Sequence, residues 1–374
     1  MSLKTGAKNI YDTLPHSLRT VIRSALPKFF TEPLFNKLPL DVPQSLHIDP
    51  ANVCNFKCSF CPTGDPELLK KFNRPKGMMK YELFTKIIDD LKIMVDKSGQ
   101  KVVELHLYKD GEPLLNKRIG EMIAYAKHAS VAESIQTTTN GALLTKNKTD
   151  EMINSGLDVI RISVEHVNNE GYKNVTRNYA DYNEIVENVK YLYNEKIKCG
   201  SLLKIHSKIL DVQLSNEEKG KFISDFRPIS DKISINQLMG WSNSDVKDFT
   251  LGVDVDRGMG GKARLRQKKI CPEPFRSLAI NFDGKVSVCC VDWSYGTIVG
   301  DAAEVSLYDI WNGQKMAQFR KTHIEGRRYG IKACSDCHYV LGFPDHLYLD
   351  NKTKRLQQIY SRTGKISREQ KAKI

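Results

Sequence analysis

Between residues 45 and 240 the chain alternates two hydrophobic spacings. Period-two or continuous apolar runs occur at SLHIDPA (45–51), VVELHLYKD (102–110), SIQTTTNG (134–141), VIRISVEH (159–166), LLKIHSKIL (202–210) and ISINQLM (233–239), and predict six strands. Helical spacing lies between them. Residues 80–95 put Leu83, Ile87, Ile88 and Leu91 on one stripe, and residues 116–129 and 182–195 do the same. Repeated βα units require a parallel sheet covered by helices. Six units are too few to close an eight-fold barrel, so the expected fold is α/β: an open, partial (β/α)6 TIM-like barrel.

The pattern breaks at Gly240. Residues 241–268 are rich in Gly, Ser and charge and read as a linker. LAINFDGKVSVCCVDW (278–293) then reads as a hairpin turning at Asp283-Gly284, followed by a short helix over 306–321. The expected organisation is a basic helical extension (1–44), the barrel (45–240), a basic linker (241–268), a small α+β domain built on the hairpin (269–340) and a basic tail (341–374). HSLRTVIRSALPKFF (16–30) is amphipathic, basic and interrupted by Pro27. Packing on the core as a short helix is expected for it ahead of a peripheral membrane contact.

The chain has 374 residues, 40% hydrophobic and 27% charged, which excludes wholesale disorder. No uncharged apolar run approaches a membrane span, and the start lacks a secretory apolar region, so a cytoplasmic location is expected. There, nine cysteines read as metal ligands or thiols rather than disulfides. The net charge of +13 is concentrated in residues 1–45, 257–269 and 341–374. Without a nucleic-acid-binding motif, these segments read as solvated basic ends and a basic loop, or as a rim facing an anionic substrate.

Cys54-Asn-Phe-Lys-Cys58-Ser-Phe-Cys61 follows the first strand and brings three thiols to one short loop. Structural zinc wants four closed ligands. Three cysteines on a [4Fe–4S] cube leave one iron open to another ligand. A zinc site completed from elsewhere is the competing reading. This CxxxCxxC, with Phe60 before its last cysteine, resembles the radical S-adenosylmethionine (radical SAM) superfamily. The resemblance implies that SAM chelates the open iron and is reductively cleaved to a 5′-deoxyadenosyl radical that abstracts a substrate hydrogen atom. It also implies a flavodoxin- or ferredoxin-type reductant. Asp110-Gly111-Glu112-Pro113 resembles the family's GGEP motif, which holds the SAM amino group, with Asp110 in place of the first glycine. Asn140 lies in a TNG-like strand end, and Ser163 and Glu165 end the fourth strand, where the family places groups near the SAM ribose and carboxylate. By this resemblance Phe60, Gly111, Glu112, Pro113, Asn140, Ser163 and Glu165 are the expected SAM-site residues.

Cys271, Cys289, Cys334 and Cys337 form a C-x17-C-x44-C-x2-C set. A zinc ribbon usually has tighter pairs. The region resembles the SPASM/twitch auxiliary-cluster domain, with a spacing similar to that of 2-deoxy-scyllo-inosamine dehydrogenases, which implies one auxiliary [4Fe–4S] cluster on these four cysteines. Adjacent strand residues face opposite ways, so Cys289 is expected at the cluster and Cys290 beside the hairpin, as a small hydrophobe or a hydrogen-atom donor. Cys199 is expected to be buried, and Trp241 and Trp293 to be packing residues. His47, Asp49, His206 and Gln237 suit either the lumen or the core.

The expected reaction is dehydrogenation of a carbohydrate, cyclitol or nucleotide-linked sugar, with an electron passing to the auxiliary cluster. A ribosomal-peptide maturase, a radical epimerase using Cys290 and a non-catalytic iron–sulfur or zinc module are the alternatives.

Overall fold

The computed structural model describes residues 32–258 and 263–362. The stretch at 16–30 and the end of the basic tail lie outside the described residues. Six parallel strands, β1 (Ser45–Ile48), β2 (Val102–Leu107), β3 (Ala132–Thr139), β4 (Val159–Val164), β5 (Lys204–Leu210) and β6 (Lys232–Asn236), lie side by side in chain order. Helices connect them: α1 (Pro66–Lys71), α2 (Tyr81–Ser98), α3 (Ile119–Ala129), α4 (Lys146–Asn154), α5 (Asn169–Thr176), α6 (Tyr182–Lys198) and α7 (Asn216–Phe226). The first and sixth strands do not pair, so the barrel is open.

Alternation sets the two faces of the sheet. Leu46, Ile48, Leu105, Leu107, Ile160, Ile162, Ile205 and Ile209 are buried in the apolar core together with Phe84, Ile87, Ile88 and Leu91 of α2. Leu83, expected on that stripe, is only partly buried, and Phe84 takes the core position. The opposite face turns polar residues toward the lumen. Helices α4, α5 and α7 are marked by their caps. Thr145, Asn168 and Ser215 each accept a backbone N–H of the first turn, and Ser215 with Glu218 completes a capping box.

The hairpin does not stand apart. Strand β7 (Ser277–Ile280) lies parallel to β1, with Ser45 opposite Ser277, and β8 (Lys285–Ser287) and β9 (Ile298–Asp301) extend the same sheet to nine strands. An open barrel leaves β1 with a free edge, and β7 fills it. The turn at Asp283-Gly284 uses the left-handed freedom of Gly284, at φ 90°. Helix α8 (Glu273–Arg276) precedes β7, and α9 (Leu307–Asn312), α10 (Gln314–Ile324), α11 (Lys332–Ser335) and α12 (Thr353–Arg362) follow β9.

Two basic segments differ from their expected solvated state. The described part of 241–268 is pinned down: Ser242 Oγ donates to the Val291 carbonyl at 2.6 Å, Lys247 pairs with Asp65 at 2.5 Å, and Phe249 is buried with Trp293. Lys268 is buried and donates to the Leu341 carbonyl at 2.6 Å. Helix α12 buries Leu356 and Tyr360, the latter edge-on to Phe275. Cys199 is exposed, contrary to expectation, because it caps α6 at the surface instead of entering the core. Among the described residues no helix is long and apolar enough to cross a membrane.

Candidate functional site

The loop after β1 carries Cys54, Cys58 and Cys61, all half-buried free thiols. It is held from two sides. Lys57 and Ser59 donate their backbone N–H groups to the carbonyls of Thr176 and Val175 at the end of α5, at 2.8 and 2.9 Å. Glu112 donates its backbone N–H to Val53 O at 2.9 Å. Gly111 passes so close to this strand end that a Cβ there would collide with the carbonyls of Ala51 and Val53, so a glycine is required. The GEP segment therefore braces the base of the cysteine loop. Pro113 starts a short 3-10 turn after it.

Glu112 is buried, and its two carboxylate oxygens accept from Leu114 N at 3.0 Å and Asn140 N at 2.8 Å. Burial nonetheless pushes its pKa up to about 7. Asn140 donates from Nδ2 to Asn55 Oδ1 at 2.8 Å and stands 4.0 Å from Cys54 Sγ. Gly141 takes the left-handed turn that follows, at φ 77°. Glu165 is buried with its pKa raised to about 7, burial outweighing the pull of Lys208, and its charge reaches Cys54 and Cys58. Ser163 is half-buried and on the same face by alternation. Phe60 packs with Val175 and Leu238, and its carbonyl accepts from Trp241 Nε1 at 3.0 Å. Phe60, Glu112, Asn140 and Glu165 thus gather around the thiols at the carboxyl end of the sheet, the end that carries chemistry in such barrels.

The donor set fits a soft metal cluster. Burial is the leading cause that raises the pKa of all three thiols, to about 12 at Cys54 and about 11 at Cys61, and each feels a neighbouring cysteine's charge or a nearby carboxylate. Thiols so placed become thiolates when a cationic cluster binds. Cys271, Cys289, Cys334 and Cys337 line a second, small cavity, together with Glu273 and His323. His323 accepts from Cys271 N at 3.2 Å, and its Nε2 is buried without a partner. The buried Arg328 donates to the carbonyls of Lys268 and Cys334. Arg320 donates to Pro274 O and Trp311 O at 2.9 Å each.

Cys289 and Cys290 lie beyond the end of β8, in a turn, so strand alternation does not separate them. Their thiols and the Glu273 carboxylate lie within 4.8 Å of one another. Cys289 lines the second cavity, whereas Cys290 does not, and its charge acts on Tyr108, Arg276 and Tyr339.

The lumen between the sites is polar. His47 stacks on His106 at 4.2 Å, His106 lies 3.5 Å from Glu104, and His206 Nε2 is 2.9 Å from Ser234 Oγ. His47 and His206 are therefore lumen residues, as is Asp49 at the end of β1, whose Oδ2 is buried without a partner. Gln237 lies past β6, with Nε2 3.4 Å from Asp256 Oδ1. Arg161, Lys208 and His323 were not singled out from the sequence. The signal for the first two is the alternation itself, which puts them on the inner face of β4 and β5.

A family model for the Radical SAM superfamily matches residues 48–207, and one for an iron-sulfur cluster-binding domain, SPASM, matches residues 271–338. The chain thus carries a radical SAM domain over residues 48–207, followed by an iron-sulfur cluster-binding SPASM domain over residues 271–338. SAM and [4Fe–4S] clusters, an auxiliary one included, are the cofactors of this domain pair. The chain is 23% identical to the tungsten-containing aldehyde ferredoxin oxidoreductase cofactor-modifying protein of Pyrococcus furiosus, over 78% of this chain and 86% of that protein. A probable GTP 3′,8-cyclase of Methanocaldococcus jannaschii is 29% identical over 39% of this chain and 44% of its own length. Among solved structures, Streptococcus suis SuiB bound to its precursor peptide SuiA superposes with a TM-score of 0.58 at 15% identity, covering 86% of this chain and 77% of SuiB. BtrN in complex with AdoMet and 2-DOIA gives 0.50 at 16% identity, covering 79% and 93%. These structures share the fold: a partial barrel followed by a SPASM domain.

Proposed function

We propose that the protein is a radical SAM dehydrogenase of a small polyhydroxylated substrate, a carbohydrate, cyclitol or nucleotide-linked sugar. Cys54, Cys58 and Cys61 would hold the cluster that binds SAM, and Cys271, Cys289, Cys334 and Cys337 the auxiliary cluster. Glu112 and Asn140 would take the SAM amino group, with Phe60, Gly111 and Pro113 shaping that end, and Ser163 and Glu165 would face its ribose and carboxylate. The bound cofactors supply a hydrogen-abstracting radical and a one-electron acceptor. The chain's own part is to seat the substrate in the lumen, keep water out and bring the acceptor close. Dehydrogenation would remove a hydrogen atom, an electron and a proton from the substrate; the bound cofactors would accept the first two and a base the proton. A flavodoxin- or ferredoxin-type protein would deliver the initiating electron.

The observation that carries this reading is the nearness of the second cysteine cavity to the lumen. Cys290, next to the cavity-lining Cys289, lies close enough to act electrostatically on Tyr108, whose ring meets His47 and His106 edge-on at 5.8 and 5.4 Å in the lumen. The wall of histidines, carboxylates and amides suits hydroxyl-rich molecules better than apolar peptide side chains. The test is anaerobic reconstitution followed by mass spectrometry of candidate sugars and cyclitols. A product two hydrogens lighter, formed with 5′-deoxyadenosine, is expected. A product of unchanged mass would favour epimerisation instead.

A further inference from the structure

Two cations face the lumen from neighbouring strands. Register sets Arg161 opposite His206 and Ser163 opposite Lys208, so Arg161 and Lys208 lie two residues apart along the inner face of β4 and β5. Arg161 Nη1 is buried without a hydrogen-bond partner. Among the described residues no carboxylate lies within ion-pair distance of either cation.

The acids close by offset them only in part. Glu104 is held ionised, lowered to about 2 first by its hydrogen bond with His106; its charge reaches Arg161, but the two form no ion pair. Glu165 is the acid whose charge reaches Lys208, and burial lifts its own pKa to about 7. His47, His106 and His206 are all held below their ordinary value, first by burial, and are neutral near pH 7. Lys208 is lowered to about 8, by burial and then by Arg161. Two adjacent, poorly solvated cations repel each other and have no acid in ion-pair contact, and an anion between them relieves both costs. Row neighbours complete the cradle: Thr138 is opposite Arg161, and its buried hydroxyl faces Tyr108.

We propose that Arg161 and Lys208 together bind an anionic group of the substrate, a carboxylate or phosphate on a small polyhydroxylated molecule. This rests on the reading that the lumen is the substrate site. It makes the acid group, not the basic segment at 257–269, the main determinant of substrate charge. Charge-assisted hydrogen bonds from a guanidinium and an ammonium are the strong kind and favour such a group over a neutral hydroxyl.

The test uses the reconstituted protein with SAM bound and calorimetric titration of three probes: inorganic phosphate, glucuronate and neutral glucose. Phosphate or glucuronate, whichever matches the natural anion, is expected to bind at least about tenfold more tightly than glucose. Arg161→Gln and Lys208→Met should each remove about tenfold or more of that affinity, while Lys208→Arg keeps most of it. SAM affinity should change less than about twofold, although Ser163 and Glu165, the groups proposed to face SAM, lie beside Lys208, because the pair is assigned to the substrate and not to SAM. Circular dichroism and iron content verify each variant, and the comparison of Lys208→Arg with Lys208→Met stands even if Arg161→Gln does not fold. Anion binding that is absent, or unchanged in Lys208→Met and Arg161→Gln, overturns the proposal. So does a parallel loss of SAM affinity, which would assign the pair to the SAM carboxylate. The titration involves no turnover. A protein that binds the anion yet never forms a product two hydrogens lighter would refute the dehydrogenase reading and leave the anion site standing.

Discussion

Arg74 Nη2 lies 2.8 Å from Asp110 Oδ2, and both side chains are almost fully buried. Asp110 is the residue that replaces the first glycine of the GGEP-like motif, and the ion pair gives that departure a physical reason. Its carboxylate also takes Lys109 Nζ at 2.5 Å. Lys109 in turn donates to the Asp292 carbonyl at 3.1 Å, Arg74 donates to the Trp293 carbonyl, and the Arg74 guanidinium lies 3.9 Å above the Tyr295 ring. One buried carboxylate thus ties the end of β2 to the loop just after Cys289 and Cys290.

Removing that carboxylate strands two buried cations. Asp110→Ala is therefore expected to cost about 3–5 kcal/mol, the range for breaking a buried pair from one side. Arg74→Met combined with Asp110→Ala should cost less than the sum of the single changes, because only Lys109 is then left without its acid. Thermal melts of the four proteins in the cycle measure this, and additive costs would mean that the two residues do not act as a pair.

Glu112→Ala is expected to weaken SAM binding by about one to two decades, the value of a charge-assisted hydrogen bond to an ammonium. Because Glu112 also accepts Asn140 N and Leu114 N, Glu112→Gln is the cleaner variant. It preserves an acceptor for one of these bonds and loses the charge. Calorimetry on the reconstituted protein gives both affinities. Unchanged SAM binding in Glu112→Gln would reduce Glu112 to a turn-holding residue.

Much of this architecture is legible in the chain because alternation and helical spacing are local. Leu105 and Leu107 alternate with Glu104 and His106, and one face must then be core and the other lumen. Three things are not local. The pairing of β7 with β1 joins residues more than 200 apart in sequence, and no pattern in SLAI announces a parallel partner. Arg74 gives no sign in sequence that its partner is Asp110. The ends of the strands are also set by tertiary contacts: β8 stops at Ser287, so the strand rule did not apply to Cys289 and Cys290. The cysteine spacings, in contrast, are visible at once, since metal-binding loops need their ligands close in sequence or in recurrent intervals.

Asp49 and Asp110 titrate in opposite directions. Burial and the charge of Asp110 raise Asp49, whereas Lys109 and Arg74 hold Asp110 low against its own burial. A carboxyl whose pKa is raised on folding binds its proton more tightly in the folded state. Its contribution is full below the ordinary value of 3.8 and is lost as pH rises through the elevated one. Asp49→Asn removes that loss. The melting temperature of the variant relative to the parent should therefore climb between about pH 5 and pH 8. A difference that stays flat would mean that Asp49 is ionised throughout.

Iron analysis tests the ligand sets directly. Two [4Fe–4S] clusters predict about eight irons per chain. Replacing Cys54, Cys58 and Cys61 with Ala should leave about four and abolish SAM cleavage. Zinc at the second site in place of iron would remove the auxiliary cluster.

The auxiliary cluster's role separates oxidation from redox-neutral chemistry. Cys271, Cys289, Cys334 and Cys337 line one cavity, and four protein ligands would leave no iron open to substrate. A fully ligated cluster suits electron transfer, because nothing must displace a ligand. Hydrogen abstraction needs only the first cluster and a reductant. Cys334→Ala with Cys337→Ala should then still yield 5′-deoxyadenosine but little oxidised product. The double change also removes a brace from this region, since metal binding couples to folding. The buried Arg328 that holds the Cys334 carbonyl and the neighbouring α11 would loosen first. Circular dichroism and the absorbance of the remaining cluster must therefore match the parent before rates are compared. Product formed at the parent rate by a folded double variant would show that the electron goes elsewhere. The second site would then be structural, and epimerisation with the Cys290 thiol, close to Tyr108 in the lumen, as hydrogen donor would become the better reading.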